Sequence, residues 1–265
     1  MKGPFVSVVC VVAVAFTGVA LAGPGPTSPL YLTSGGYPNI IVVQGNTITQ
    51  FPEAYGAPWE GPIAVYGDVR TTGSFPASPR GGQYSLAGVP TGTSYVLPSV
   101  IRLAHDSTTD GTHNYLVSYS TGTVYQTARD FTNPVALFTV GLDQMGITYD
   151  RANNSLWISG DQDKKVTDYS LSGGYITSFS TGHDANGALA LDPADHTLWL
   201  VNDNTGNLEQ YSTAGAFLST GPNVGSAYGG EFNLARTPTP EPGTLVMFGS
   251  GVLGLTGLLR RKINL

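Results

Sequence analysis

Gly146-Ile-Thr-Tyr-Asp150 and, 42 residues later, Ala188-Leu-Ala-Leu-Asp192 open two stretches that align without a gap, to Phe179 and Gly221 respectively. Asp150 falls on Asp192, Leu156-Trp157 on Leu198-Trp199, Asp161 on Asp203, Tyr169-Ser170 on Tyr211-Ser212 and Gly173 on Gly215. Tyr175-Ile176 is answered by Phe217-Leu218. Within one copy, short β-prone runs at Ile147–Tyr149, Leu156–Ser159, Val166–Ser170 and Tyr175–Phe179 are separated by Asn153-Asn154, Asp161–Lys164 and Ser172-Gly173-Gly174. Those separators are turn formers, so each copy reads as four short strands.

A fainter third copy precedes these two. Leu103-Ala-His-Asp106 aligns with Ile147–Asp150, and Tyr115–Tyr119, Thr123–Gln126 and Val135–Phe138 supply three later strands. Ile63–Tyr66 and Tyr95–Val100 read as strands further upstream. Four strands recurring every 42 residues is the pattern of a β-propeller blade. The Asp192-Pro193 turn followed by a Leu-Trp-Leu-Val strand resembles the NHL and streptogramin-lyase-like propellers, a resemblance carried by the two clear copies. Asn39 to Arg236 is 198 residues, close to five such repeats. The expected class is therefore all-β, a propeller of about five four-stranded blades; the competing fold is a β-sandwich.

A propeller needs its first and last blades joined, because open sheet edges invite association. Gly229–Ala235 reads as one more first strand with no blade after it, while Ile40–Val43 and Thr47–Phe51 look like a blade lacking its first strand. The expectation is that Glu231–Leu234 pairs beside Ile40–Val43, with both termini on the rim.

The ends of the chain read as addresses. Lys2, the apolar run Phe5–Leu21 and Ala20-Leu-Ala22 before Gly23-Pro24 make a secretory leader over residues 1–22, with Ala20 and Ala22 as the small residues of the cleavage site. Residues 237–265 contain Pro240-Glu241-Pro242, then the uncharged, mostly apolar run Thr244–Leu259, then Arg260-Arg261-Lys262. The run has the character of a short membrane helix, and the basic triplet that of a cytoplasmic stop. These three parts in order resemble the PEP-CTERM sorting signal of Gram-negative bacteria. That resemblance implies handling by an exosortase near the Pro-Glu-Pro and delivery to the cell surface or extracellular matrix. The propeller region is then 23–236.

Composition supports this division. Charged residues are 11% of the chain, against ~25% usually, and Gly (35) and Pro (18) are abundant, as turn-rich β-structure requires. Without Lys2, Arg260, Arg261 and Lys262, the twelve basic residues fall to eight against eighteen acidic ones, a net charge of −10. That sign argues against nucleic acid or anionic lipid as partners. The single cysteine, Cys10, lies in the leader, so the processed chain has no thiol or disulfide chemistry.

Motifs for chemistry are sparse. Gly249-Ser-Gly251-Val-Leu-Gly254 satisfies G-x-G-x-x-G, but it sits in the apolar tail without the strand and helix that a dinucleotide site needs, and the glycines suit a membrane helix better. His183 and His196 fall in loops at non-equivalent repeat positions, and His105 occupies the place of Tyr149, a strand position. Streptogramin-type lyases use histidines with a metal on one propeller face, and His105 and His183 are the pair to compare with that arrangement. Asp161-Gln-Asp163 and Asn202-Asp203-Asn204 occupy equivalent loops and are read as turns, since a calcium site needs about six converging oxygens. Trp157 and Trp199 are read as blade packing. No catalytic, cofactor or metal residues are assigned. The expected role is a non-catalytic binding or structural propeller, with signal peptidase and exosortase as processing partners. A propeller lyase or hydrolase and an exopolysaccharide-binding matrix component stay open as alternatives.

Overall fold

The computed structural model describes residues 24–36, 38–55, 60–75 and 80–235. The leader, the sorting tail and the membrane helix read from it lie outside these residues. Among the described residues no helix is long and apolar enough to cross a membrane.

Five antiparallel four-stranded sheets are arranged as a propeller. In chain order the strands are β1 (Leu30–Ser34), β2 (Asn39–Gln44), β3 (Thr47–Pro52), β4 (Glu60–Val65), β5 (Val69–Gly73), β6 (Gly81–Tyr84) and β7 (Pro90–Tyr95). Then come β8 (Ser107–Thr109), β9 (His113–Val117), β10 (Thr123–Ala128), β11 (Val135–Thr139), β12 (Gln144–Asp150), β13 (Ser155–Gly160), β14 (Lys165–Ser170) and β15 (Tyr175–Ser180). The last five are β16 (Asn186–Leu191), β17 (Thr197–Asn202), β18 (Asn207–Ser212), β19 (Phe217–Asn223) and β20 (Ala227–Phe232). Strands β4–β7, β8–β11, β12–β15 and β16–β19 each form one blade in sequence order, and the fifth has the order β20-β1-β2-β3.

Strands β4, β8, β12, β16 and β20 touch one another in a closed cycle and form the inner wall of the ring. Burial follows from that placement. β4, β8 and β16 are buried at every residue, whereas β3, β7, β11 and β15 are mostly exposed and β19 is exposed or half-buried at all but Gly221. The inner strands approach so closely that glycine is required: a Cβ on Gly187 would strike the Ala227 carbonyl, and one on Gly229 the Gly61 carbonyl. Trp157 and Trp199 are 1% and 2% exposed and pack between neighbouring sheets.

The 42-residue period is also a period of backbone geometry. Left-handed residues recur at Asp143 and Ala185, Asn154 and His196, Lys164 and Gly206, and Gly173 and Gly215. Each pair is one turn seen twice, and a positive φ is adopted at five residue types besides glycine because the turn demands it.

Four expectations are corrected. Glu231–Leu234 does not lie beside Ile40–Val43: β1 intervenes, pairing Leu30 with Phe232 on one side and with Val43 on the other. The closure within one sheet holds, but β20 is its innermost strand, so the tail leaves from near the axis and not from the rim. The third copy begins at Ser107, not Leu103, which makes Asp110 and not Asp106 the counterpart of Asp150. Tyr95–Val100 is not a strand beyond Tyr95; β7 ends there.

Candidate functional site

The inner strands of all five blades end at one face of the ring, and there they enclose a cavity of about 470 Å³. Its wall draws on Tyr66 after β4, Thr109 and Asp110 at the end of β8, Tyr149 to Ala152 at the end of β12, Leu191 and Pro193 to His196 at the end of β16, and Leu234 after β20. The wall is mostly apolar. Tyr149 stacks on Tyr115 at 6.0 Å and donates its hydroxyl to Asn154 Oδ1 at 2.8 Å. The Arg129 guanidinium lies over the Tyr66 ring at 5.9 Å, and Gly111 passes so close beneath it that a Cβ would collide with that ring.

The carboxylates in this wall are engaged in holding turns. Asp110 Oδ1 accepts the Thr112 and His113 backbone N–H groups, both at 2.6 Å, and its Oδ2 accepts the Tyr115 hydroxyl at 2.8 Å. The hydrogen bonds from His113 and its neighbours hold the Asp110 carboxyl below its usual range despite partial burial. Asp150 Oδ1 accepts from the Ala152 and Asn153 backbone and meets His196 Nε2 at 3.2 Å, across two blades. Asp195 Oδ1 accepts from the Thr197 N–H and hydroxyl. With its acids so engaged, the cavity presents a mostly apolar surface.

The core of the ring is polar. Asp106 and Glu231 are fully buried between the inner strands. Asp106 Oδ1 accepts the Ser107 and Gly230 N–H groups at 2.8 and 2.9 Å, and Oδ2 accepts the Ile147 N–H at 3.1 Å. Glu231 accepts the Thr108 and Thr148 hydroxyls and the Phe232 N–H. Thr108 and Thr148 in turn accept the Tyr149 and Leu191 N–H groups at 2.8 and 3.1 Å. Burial pushes both carboxyls well above the usual range. This network joins β8, β12, β16 and β20 and fills the axis.

The opposite face holds the histidine pair singled out from the sequence. His105 is not a strand residue; it lies just before β8 with its ring edge-on to Tyr119 and Tyr228, at 5.1 and 5.2 Å. Burial lowers its pKa to about 4, and its buried Nδ1 has no hydrogen-bond partner among the described residues. Tyr119 donates to Asp161 Oδ2 at 3.0 Å. His183, in the β15–β16 loop, instead pairs with Glu209 at 2.8 Å. Asp203 accepts from the Ala227 N–H at 3.3 Å, and burial raises it to about 6. Asp163 accepts from the Lys165 N–H at 3.1 Å. The equivalent aspartate loops thus serve the ring's own hydrogen bonding. Among the described residues no group of three or more His, Cys, Asp or Glu is placed to hold a metal ion.

Residues 238–262 match the PEP-CTERM protein-sorting motif. This segment includes Pro240, Glu241, Pro242, Arg260, Arg261 and Lys262, and it marks the chain as exported and subject to membrane-anchored sorting, with an exosortase as the kind of processing partner. No curated protein matches the sequence. Among solved structures, a chain of a nidogen/laminin complex is similar at a TM-score of 0.54 and 13% identity, over 78% of this chain and 99% of that one. A catalytically inactive virginiamycin B lyase from Staphylococcus aureus with quinupristin is similar at a TM-score of 0.47 and 14% identity, over 73% and 69%. At 13% identity the first likeness is one of fold alone.

The cavity was not legible in the sequence. Its residues are turn and strand-end positions scattered from Tyr66 to Leu234, and the signal that bears on two of them is the aspartate at the end of an inner strand, Asp110 and Asp150.

Proposed function

We propose that this chain is a non-catalytic binding propeller, displayed at the cell surface or in the extracellular matrix of a Gram-negative bacterium. The observation that carries the reading is the state of the cavity's acids: Asp110, Asp150 and Asp195 each close a turn, and the space between them is mostly apolar with Tyr66 and Tyr149 in the wall. General acid–base chemistry needs a carboxyl or imidazole within reach of a substrate and poised near the working pH; these carboxyls are committed to backbone amides, and the His196 imidazole in the wall meets Asp150. In this reading signal peptidase cleaves after Ala20-Leu21-Ala22, and an exosortase acts near Pro240-Glu241-Pro242 while Arg260-Arg261-Lys262 stays cytoplasmic. The ligand class that fits tyrosine faces in a largely apolar cavity is a sugar of the exopolysaccharide, bound by stacking.

The enzyme alternative has one observation in its favour: His105, Tyr119, Tyr228 and Asp161 gather at the opposite face. A single experiment separates the two. Polysaccharide extracted from the cell surface is titrated into the processed protein and into Ala194→Trp, which places an indole at the exposed mouth of the cavity. The binding reading expects heat of binding with the parent, at least tenfold weaker binding by the variant, and no shortening of the polysaccharide. Cleavage of the polysaccharide abolished by His105→Ala would replace this reading with the enzymatic one.

A further inference from the structure

We infer that the domain carries a second ligand site, for a neutral saccharide, on the face of the ring opposite the cavity described above. The inference goes beyond the proposed function and does not rest on it.

Strand register places the site. β20 pairs with β1 so that Phe232 lies opposite Leu30, and Ala227 opposite Ser34. Leu234, just past Phe232, is in the wall of the first cavity, so Ser34 and Ala227 lie at the other end of the blade. There β1 ends and β2 begins at Asn39, and a second cavity of about 490 Å³ opens between this sheet and the β19–β20 connection. That volume falls within the ~300–1,000 Å³ of small-molecule sites.

Its wall sets the ligand class. Asn39 on β2, Gln50 on β3 and Tyr228 on β20 line it, with Ile41 and Val224 as apolar neighbours. Gln50 is the Cα partner of Ile41, so the two side chains lie on the same face of the sheet. Among the described residues, the Asn39 and Gln50 amides and the Tyr228 hydroxyl make no hydrogen bond. Tyr228 is nevertheless held in place: its ring is edge-on to His105 at 5.2 Å, and a Cβ on Gly35 would strike it from the other direction. A Cβ on Gly36 or Gly225, both in the wall, would meet nothing within 4 Å. Three uncommitted polar groups therefore face open space. An amide offers two donors and an acceptor, and a phenol hydroxyl offers one of each kind. This set matches sugar hydroxyls, which also donate and accept, while Ile41 and Val224 suit the C–H face of a sugar ring. None of the described lining residues is charged, so a carboxylate or phosphate finds no cation here and an ammonium finds no carboxylate. The first cavity differs, with Asp110, Asp150, Arg151 and Asp195 in its wall.

The test reads the two amides directly. Polysaccharide from the cell surface is partly hydrolysed and split by anion exchange into neutral and acidic oligosaccharides. Each pool is titrated into the processed protein labelled with nitrogen-15. The expected result is that the neutral pool shifts the side-chain amide signals of Asn39 and Gln50, and that the acidic pool binds at least tenfold more weakly. Asn39→Ala and Gln50→Ala each weaken binding, followed at the remaining amide, at least tenfold. Both variants melt like the parent, because the fold uses neither amide. Ala194→Trp, at the mouth of the first cavity, leaves the shifts in place. Amide signals of the parent that the neutral pool does not move overturn the inference, and that readout needs no variant. Binding that survives both truncations, or equal binding of the two pools, overturns it as well. Shifts abolished by Ala194→Trp would assign the saccharide to the first cavity, which overturns the second site and leaves the proposed function standing.

Discussion

The Glu231 carboxyl, on the last strand of the ring, accepts a hydrogen bond at 3.3 Å from the Thr148 hydroxyl, 83 positions earlier in the chain. The contact crosses from the blade that holds both ends of the domain to a blade in the middle of the sequence. It makes the axis of the ring a shared polar core instead of an open channel.

That core sets a pH dependence. Burial raises Asp106 and Glu231 well above the carboxylate range, and it raises Glu53 to about 8. A carboxyl whose folded pKa is raised adds stability that is complete below its unfolded pKa and is lost as pH rises toward the folded value. The melting temperature should fall from pH 5 to pH 9, and Glu231→Gln should flatten the fall. A Glu231→Gln profile as steep as the parent's would remove Glu231 from this account.

Glu53 and Glu60 form a second buried carboxyl pair. Glu53 Oε2 accepts the Glu60 N–H at 2.9 Å, while Glu60 accepts the Tyr84 hydroxyl at 2.7 Å and the Thr71 hydroxyl. Glu53→Gln should stabilise the domain at pH 9 and leave it nearly unchanged at pH 5. Thermal melts at the two pH values check this, and equal effects at both would contradict it.

Asp150 holds a turn and a neighbouring blade at once, through Ala152, Asn153 and His196. Asp150→Ala leaves buried donors unpaired and should cost about 2–3 kcal/mol. His196→Ala, at an exposed ring, should cost about 0.5 kcal/mol or less. Urea titrations of both variants give the two numbers, and the reverse order would misplace the burden.

Processing predicts masses. The surface-released protein should begin at Gly23 and lack the apolar run Leu245–Leu259. Intact-mass measurement decides the point, and a mass that retains that run contradicts sorting by cleavage. Separately, a chelator should shift the melting temperature by less than two degrees; a drop of about ten degrees would return attention to Asp161, Asp163 and Asp203.

How much of this was legible follows from where apolar alternation survives. β12–β19 were readable because Trp157 and Trp199 recur with their flanking turns intact. β5, β6 and β7, Val-Arg-Thr-Thr-Gly, Gly-Gly-Gln-Tyr and Pro-Thr-Gly-Thr-Ser-Tyr, carry glycine and threonine in place of the alternating aliphatic residues, so only their partners in space define them. β1 escaped notice because it is buried on both faces and shows no alternation to read. Asp106 mimicked Asp150 in sequence, yet the two side chains do different work: one binds three inner-strand amides at the axis, and the other closes a turn. The propeller could be counted from its period, whereas the cavity depends on five strand ends that meet only in the closed ring.

Closure of the ring by strands from both ends of the domain underlies the cavity, the axial network and the exit of the tail. The most direct test is a disulfide between Leu32→Cys on β1 and Gly230→Cys on β20, which are Cα partners in the sheet. The processed chain has no other thiol. Paired positions this close meet the ~4.4–6.8 Å Cα separation a disulfide requires. The account predicts near-complete intrachain oxidation in the folded protein, seen as a faster band on a non-reducing gel and two thiols lost by mass. Two thiols that stay titratable in the folded protein, or that link only between chains, would contradict the closed five-bladed ring.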